Sequence, residues 1–145
     1  MANADTLFSA ASMLALLGWA MLAVAVFRRE RRGWILAARL MVALVAGLYV
    51  TLLARGFLFG EGMPEGAGFS TLAGVEALFQ RREAILGGWV HFLAFDLFAG
   101  TWEAEDAGRR RIPGWLLLPC LFLTLMAGPA GLLLYLLIAP FWRQR

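Results

Sequence analysis

The chain has 145 residues, of which 61% are hydrophobic, and a net charge of +3. A composition this apolar excludes a soluble domain of that length and indicates a single integral membrane domain, residues 1–145. All 13 basic residues are arginine, which excludes a lysine Schiff base and the phosphate-binding lysine of a P-loop. The arginines cluster beside apolar segments, as topology signals do, so we expect no nucleic-acid partner.

The first two apolar segments predict membrane-spanning helices at about 7–27 and 34–53, because each has roughly the 20 apolar residues that a span needs. Asp5 precedes the first segment and an arginine cluster at 28–32 follows it. This charge asymmetry predicts an N-terminus outside and the arginines in the cytoplasm. Arg39, inside the second segment, is shallow enough for its side chain to reach the interface.

Residues 70–82 predict a short amphipathic helix on the outer surface. Ser70 is the expected N-cap, and Glu76 lies among the polar positions. The apolar positions recur at helical spacing: Leu72, Val75, Leu78 and Phe79. Such a helix either braces the bundle at the interface or covers the mouth of a pocket, and the sequence leaves both open.

Two further apolar segments predict spans at about 84–102 and 114–139. The fourth contains Pro129, which cannot donate a hydrogen bond to the carbonyl of Leu125, so a kink is expected there. Trp142, after this span, is expected at the outer interface. Four spans plus the interfacial helix predict an all-α integral membrane fold.

Two ionisable side chains at membrane depth, Arg39 and Asp96, are predicted to form an ion pair. They lie at similar depth, about 7.5 Å and 9 Å from the cytoplasmic ends of their helices. An unpaired aspartate there would take up a proton. The pair either only orders the bundle or sets Asp96 for chemistry, and both interpretations stay open.

His91 is the only histidine of the chain. It is five residues from Asp96, about 140° around an ideal helix, so no direct dyad is expected. His91 lies deeper, at the level of Thr124 and the proline break. It is either a hydrogen-bonded core side chain or a proton donor or acceptor that faces a lipid-soluble substrate. One histidine and one cysteine do not make a metal cluster, so no metal site is expected.

Aromatic side chains surround these polar groups. Trp89 and Phe95, with Thr124, are the candidate substrate-binding residues for a long polyene. Aromatic stripes also pack bundles without any ligand, and this alternative stays open.

The second half of the chain carries a spaced set of residues: Phe69-Ser70, Gly74-Val75, Gly88-Trp89, His91, 94–98, Gly100, Asp106, Arg110, Ile112-Pro113, Trp115, Pro119-Cys120, Thr124, Gly128-Pro129 and 131–135. This set resembles the small four-span membrane family of the plant abscisic-acid-deficiency protein, which is tied to neoxanthin synthesis from violaxanthin. The resemblance runs from Phe69 to Leu137, about half of the chain.

The resemblance implies a membrane-embedded role in xanthophyll conversion. Neoxanthin formation opens a 5,6-epoxide and removes a proton to leave an allene, which needs an acid, a base and no redox cofactor. His91 and Asp96 are the candidate catalytic residues, with Glu76 of the surface helix as a third. The start of the chain lacks a plastid transit pattern, so we expect a bacterial inner-membrane relative whose substrate is open.

We therefore expect a carotenoid-converting isomerase, or an essential partner of one, that acts on a lipophilic polyene among membrane lipids without a cofactor. The alternative is a non-catalytic carotenoid- or quinone-binding subunit or assembly factor. A partner membrane protein or a second copy of the chain is left open. A transporter of hydrophilic substrates is disfavoured because few polar groups line the spans.

Overall fold

The computed structural model describes residues 3–28, 30–60 and 62–142, and these residues form helices and no strand. The helices are α1 (Ala4–Phe27), α2 (Arg32–Phe59), α3 (Leu72–Leu78), α4 (Arg82–Arg110), α5 (Gly114–Ile138) and a 3₁₀ turn (Ala139–Phe141). Four of them, α1, α2, α4 and α5, are long and apolar enough to span a membrane. The predicted all-α membrane fold is therefore confirmed, and α3 is the short additional helix.

The helices α1, α2 and α4 form a bundle in which α1 and α4 run parallel and α2 runs antiparallel to both. Asp5, at the start of α1, pairs with Arg82 at the start of α4. Arg39, near the start of α2, pairs with Glu105 near the end of α4. One end of the bundle is where α2 begins and α4 ends. We call it the arginine end, because Arg110 lies there. By the charge pattern it is the expected cytoplasmic end.

Small side chains fill the contacts between the three bundle helices. Lipid tails are as apolar as leucine, so membrane helices associate through close packing rather than through the hydrophobic effect. The buried alanines include Ala11, Ala15, Ala25, Ala38, Ala104 and Ala107, each exposed by 2% or less. The helix backbones can therefore approach closely along the whole bundle.

Helix α5 reverses direction at Ala127, whose φ of −154° and ψ of 56° are not helical. Residues 114–126 form a first arm and residues 128–138 form a second arm. The arms lie so close together that a Cβ atom at Gly131 would collide with the backbone of Thr124. α5 is therefore a helical hairpin.

The break differs from the kink that the sequence predicts at Pro129. The non-helical residue is Ala127, two positions earlier. Pro129 instead occupies the first turn of the second arm, where the missing N–H would have no helical partner and the fixed φ is favourable.

Both ends of the hairpin lie at the arginine end. Gly114 lies against Val26 at the end of α1. Arg110 Nη1 donates to the carbonyls of Ala139 at 3.3 Å and Trp142 at 3.4 Å. An arm of about 13 residues is about 20 Å long, shorter than a hydrocarbon core of about 30 Å. The placement of Trp142 at the opposite interface is therefore wrong, because the second arm returns to the side where the first began.

The other helices differ from the predicted spans mainly in length. α2 continues to Phe59, and α4 continues past residue 102 to Arg110. Arg111 ends α4 in the left-handed conformation, with φ 61°. α3 is shorter than the predicted 70–82, and Thr71 rather than Ser70 caps it, because the Thr71 hydroxyl accepts from the Gly74 N–H at 3.0 Å.

Candidate functional site

One face of α4 carries four ionisable side chains that face the α5 hairpin. These are Asp96, Glu103, Asp106 and Arg110, at spacings of seven, three and four residues. Such spacings place all four on one side of a helix, and we call them the polar stripe. Glu103 is 0% exposed and Asp106 is 3% exposed. Buried ionisable groups in a membrane helix are costly and mark a functional site by default.

At the arginine end of the stripe, a clamp joins α4 to the second arm. Asp106 Oδ2 accepts from Tyr135 Oη at 2.7 Å and from Arg110 Nε at 2.5 Å. Asp106 Oδ1 accepts from Arg109 Nη2 at 3.3 Å. Charge-assisted bonds of this kind are about twice as strong as neutral ones. The clamp therefore holds the second arm against α4.

In Glu103, in the middle of the stripe, only one of the two carboxylate oxygens has a hydrogen-bond partner among the described residues. Its Oε1 accepts from Thr124 Oγ1 at 2.9 Å. Its Oε2 is buried and has no hydrogen-bond partner among the described residues. Thr124, which the sequence predicts as a substrate contact, is fully buried and holds Glu103 instead.

Asp96 lies at the tip of the hairpin. Its carboxyl group fits directly against Gly128, where a Cβ atom would collide with it. Asp96 Oδ2 is buried without a hydrogen-bond partner in the described part of the chain. Both carboxylate oxygens of Asp106 thus accept hydrogen bonds at one end of the stripe, whereas at the other end Asp96 Oδ2 accepts none from the described residues.

The predicted ion pair between Arg39 and Asp96 is wrong. Arg39 Nη2 instead lies 2.5 Å from Glu105 Oε2. Glu105 is nine residues from Asp96, about 180° around an ideal helix. α2 packs on the Glu105 side of α4 and the hairpin packs on the Asp96 side. Equal depth therefore did not bring Arg39 and Asp96 together.

An apolar groove continues the hairpin-facing side of α4 beyond Asp96, away from the arginine end. It has a volume of about 290 Å³ and is lined by Phe79, Ile85, Gly88, Trp89 and Phe92. Phe79, which directly follows α3, forms one wall. We call this the aromatic groove. Both predicted roles of the surface helix, a brace at the interface and a cover over a pocket, stay predictions.

Trp89 is held in place within the groove. Its Nε1 donates to Ser12 Oγ at 3.1 Å, and its ring stacks on Phe8 and on Phe92. Trp89 therefore has a fixed place in the groove wall, and its role as a substrate contact stays a prediction.

His91 lies on a different side of α4 and is exposed. Its ring centroid is 5.3 Å from that of Tyr49 and 4.6 Å from that of Phe95. Phe95 is 61% exposed and does not line the groove. The structure therefore brings neither His91 nor Phe95 to Asp96. Glu76 is exposed on α3, so Asp96 alone of the predicted catalytic residues lies at the hairpin tip.

The chain matches the ABA4-like family, described as ABA DEFICIENT 4-like, over residues 6–135. The chain belongs to the ABA DEFICIENT 4-like family. The match extends the resemblance to the first two helices and includes the polar stripe and the aromatic groove. The family is linked to carotenoid- and neoxanthin-related function. Comparisons with curated proteins and with solved structures return no match.

Sequence reasoning missed Glu103, Asp106 and Tyr135 as one network. The predicted third span ends at about residue 102, so Glu103 and Asp106 fall outside it. The signal that could have found them is the helical spacing that continues from Asp96 to Arg110 without a break.

Tyr135→Phe is expected to lower the free energy of unfolding by about 1–2 kcal/mol, because Asp106 loses a buried donor. Asp106→Ala is expected to cost more, about 3–5 kcal/mol, because Arg110 then keeps a partly buried charge without a carboxylate. Unfolding of purified protein in mixed micelles measures both. Tyr49→Phe is the matched control, since that hydroxyl has no hydrogen bond among the described residues. Equal losses for the two tyrosine variants would contradict the clamp.

The losses of unfolding free energy in Arg39→Gln and Glu105→Gln are expected to be non-additive, because the two side chains form an ion pair. The coupling is expected to be only about 0.2–1 kcal/mol, since both side chains are more than a third exposed. Unfolding of the two single variants and the double variant in micelles measures the coupling. The same cycle with Asp96→Asn in place of Glu105→Gln should give simple additivity. Coupling of Arg39 to Asp96 would contradict the structure.

Proposed function

We propose that this protein converts a carotenoid within the membrane, as an isomerase that moves a proton at one end of a xanthophyll. The observation that carries the proposal is the Asp96 carboxyl group. It has an unpartnered buried oxygen at the hairpin tip, on the face of α4 that carries the aromatic groove, in a family linked to carotenoid-related function. The membrane that we propose is a bacterial inner membrane.

The aromatic groove suits the end of a polyene. Four of its five lining residues have large apolar or aromatic side chains, and the carotenoid rings and chain are apolar. A volume of about 290 Å³ is at the lower limit of ordinary ligand pockets. In this proposal the groove receives one end ring, and the long chain lies in lipid beside α4.

The proposed chemistry needs one proton donor and one proton acceptor. Protonation of the epoxide oxygen breaks a C–O bond and leaves a hydroxyl group. Loss of a proton from the adjacent chain carbon then forms the allene, so the formula does not change. A single carboxyl group can act as acid in one step and as base in the next. Asp96 is proposed for this role because no described cation forms an ion pair with it.

A second candidate is a carotenoid- or quinone-binding subunit without catalysis. The observation that favours it is the position of His91, which faces away from Asp96 and leaves the site with one predicted proton-transfer group. A purified protein that carries unaltered pigment would favour this candidate.

The test is expression of the full chain in a host that makes zeaxanthin and violaxanthin, with pigments profiled by chromatography and mass spectrometry. The proposal predicts a new pigment with the mass of violaxanthin, absent from cells that carry an empty vector. An unchanged profile, with the protein present in the membrane at normal level, would overturn it.

A further inference from the structure

The polar stripe contains more buried carboxyl groups than the proposed chemistry uses. Glu103 is 0% exposed, and its Oε2 has no partner among the described residues. Neither Glu103 nor Asp96 forms an ion pair within the described part of the chain. A buried carboxyl group without a counter-charge is costly. If these positions only packed the helices together, an apolar side chain would make the protein more stable.

The position of Glu103 is intermediate between the hairpin tip and the arginine end. Seven residues, about 10.5 Å along the helix, separate it from Asp96. Three residues separate it from Asp106, which accepts a hydrogen bond from Arg109, a side chain that is 52% exposed. One end of the stripe thus reaches the solvent-facing arginines, and the other end stops at Asp96.

The hairpin covers the stripe between these ends. Thr124 holds Glu103 Oε1 and leaves Oε2 open. The other titratable groups on the hairpin already have hydrogen bonds, since Cys120 Sγ donates to the Leu116 carbonyl and Tyr135 donates to Asp106. The α4 residues between the two carboxyl groups on this side of the helix are Ala99 and Gly100, which are both small.

We infer that the polar stripe is a proton relay in which Glu103 passes protons between Asp96 and the arginine end. A proton taken up near Asp106 moves to Glu103 and then to Asp96, and the reverse path returns it. The relay consumes no proton, and each carboxyl group ends as it began. The purpose of the relay rests on the proposed function, because it would supply the proton that Asp96 must carry before it opens an epoxide. The transfer itself does not depend on that function.

The experiment measures proton exchange of Asp96 without any pigment. The full chain is purified in maltoside micelles, which lack a carbonyl band, and is transferred from H₂O to D₂O. The Asp96 carboxylic-acid stretch is identified in the infrared spectrum by its loss in Asp96→Asn, and the rate at which this band shifts is recorded. Glu103→Gln is expected to slow the shift at least about tenfold, equivalent to about 1.4 kcal/mol on the barrier.

Two further variants make the result decisive. Ala99→Leu keeps both carboxyl groups but places a bulky apolar side chain on the part of α4 between them, and it is expected to slow the shift as well. It also decides the question if Glu103→Gln does not fold. Glu105→Gln makes the same chemical change two residues away, on the α2 side of α4, and should leave the rate unchanged.

The absence of an Asp96 acid band, or equal exchange rates in wild type and folded Glu103→Gln or Ala99→Leu, would overturn the relay. Slow exchange in Glu103→Gln together with no pigment conversion by the wild type would keep the relay and overturn the proposed function. Pigment conversion by the wild type, together with equal exchange rates in wild type and variants, would keep the proposed function and overturn the relay.

Discussion

Asp96→Asn is expected to abolish pigment conversion while the protein accumulates normally. Asparagine has almost the size of aspartate, so it fits against Gly128 at the hairpin tip, but it cannot exchange a proton at the working pH. Removal of a general acid or base costs about 10²- to 10⁴-fold in rate. The measurement is the ratio of new to parent pigment in a xanthophyll-producing host, normalised to the amount of membrane-inserted protein.

His91→Ala is the comparison that separates this account from one centred on the histidine. His91 is exposed beside Tyr49 and Phe95, outside the groove, so its loss is expected to change conversion by less than a few-fold. Conversion that survives Asp96→Asn, or that disappears in His91→Ala with normal protein levels, would remove Asp96 from the proposed role.

Gly131→Ala is expected to destabilise the protein more than any other single methyl group added to a glycine of the spans. The new Cβ atom would collide with the backbone of Thr124 and with the carbonyl of Cys120, and neither can rotate away as a side chain can. Overpacking of a tight site costs about 1–3 kcal/mol, occasionally more. The arms of the hairpin would separate, and the clamp at Asp106 would loosen with them.

Gly47→Ala is the matched control, because a Cβ atom at this helical position in α2 meets nothing within 4 Å. It is expected to leave the free energy of unfolding unchanged or to raise it by up to about 1 kcal/mol, since alanine is the better helix former. Unfolding of both variants in mixed micelles gives the comparison. Similar stabilities for the two would show that the arms of α5 do not pack as described.

The features that the sequence predicts correctly are those that depend on local composition. Four apolar segments predict four long helices, and the structure has four helices of membrane-spanning length and hydropathy, because both are local properties. The reversal of α5 is not such a property. The stretch after α2 predicts a short helix at about the right place, and α3 occurs there. The ends of this helix differ from the prediction, since Thr71 rather than Ser70 makes the capping bond.

The features that the sequence does not predict depend on direction around a helix or on a single backbone residue. Depth along a helix follows from residue numbers, and equal depth predicts an ion pair between Arg39 and Asp96. The direction around α4 decides the actual partner of Arg39, which is Glu105. A Gly128-Pro129 break is compatible with a kink or with a full reversal. The contact at Gly131 that favours reversal is tertiary and leaves no local pattern.

The position of Asp96 shows both limits. An aspartate within an apolar run is a functional candidate from sequence alone, and the structure places Asp96 at the hairpin tip. Its neighbours could not be predicted, because the side of α4 on which α5 packs leaves no pattern in the sequence, although Gly128 lies against Asp96 in the structure. The same packing covers Glu103 and Asp106, which otherwise read as an ordinary cytoplasmic loop.

Conversion by the purified protein tests the central claim most directly. The full chain in micelles is mixed with a 5,6-epoxy xanthophyll, without any cofactor, and the pigments are separated by chromatography and weighed by mass spectrometry. The account predicts a product of unchanged mass and altered retention from the wild type, and none from Asp96→Asn. Recovery of only the starting pigment, bound to a folded wild-type protein, would contradict the claim and favour a pigment-binding subunit.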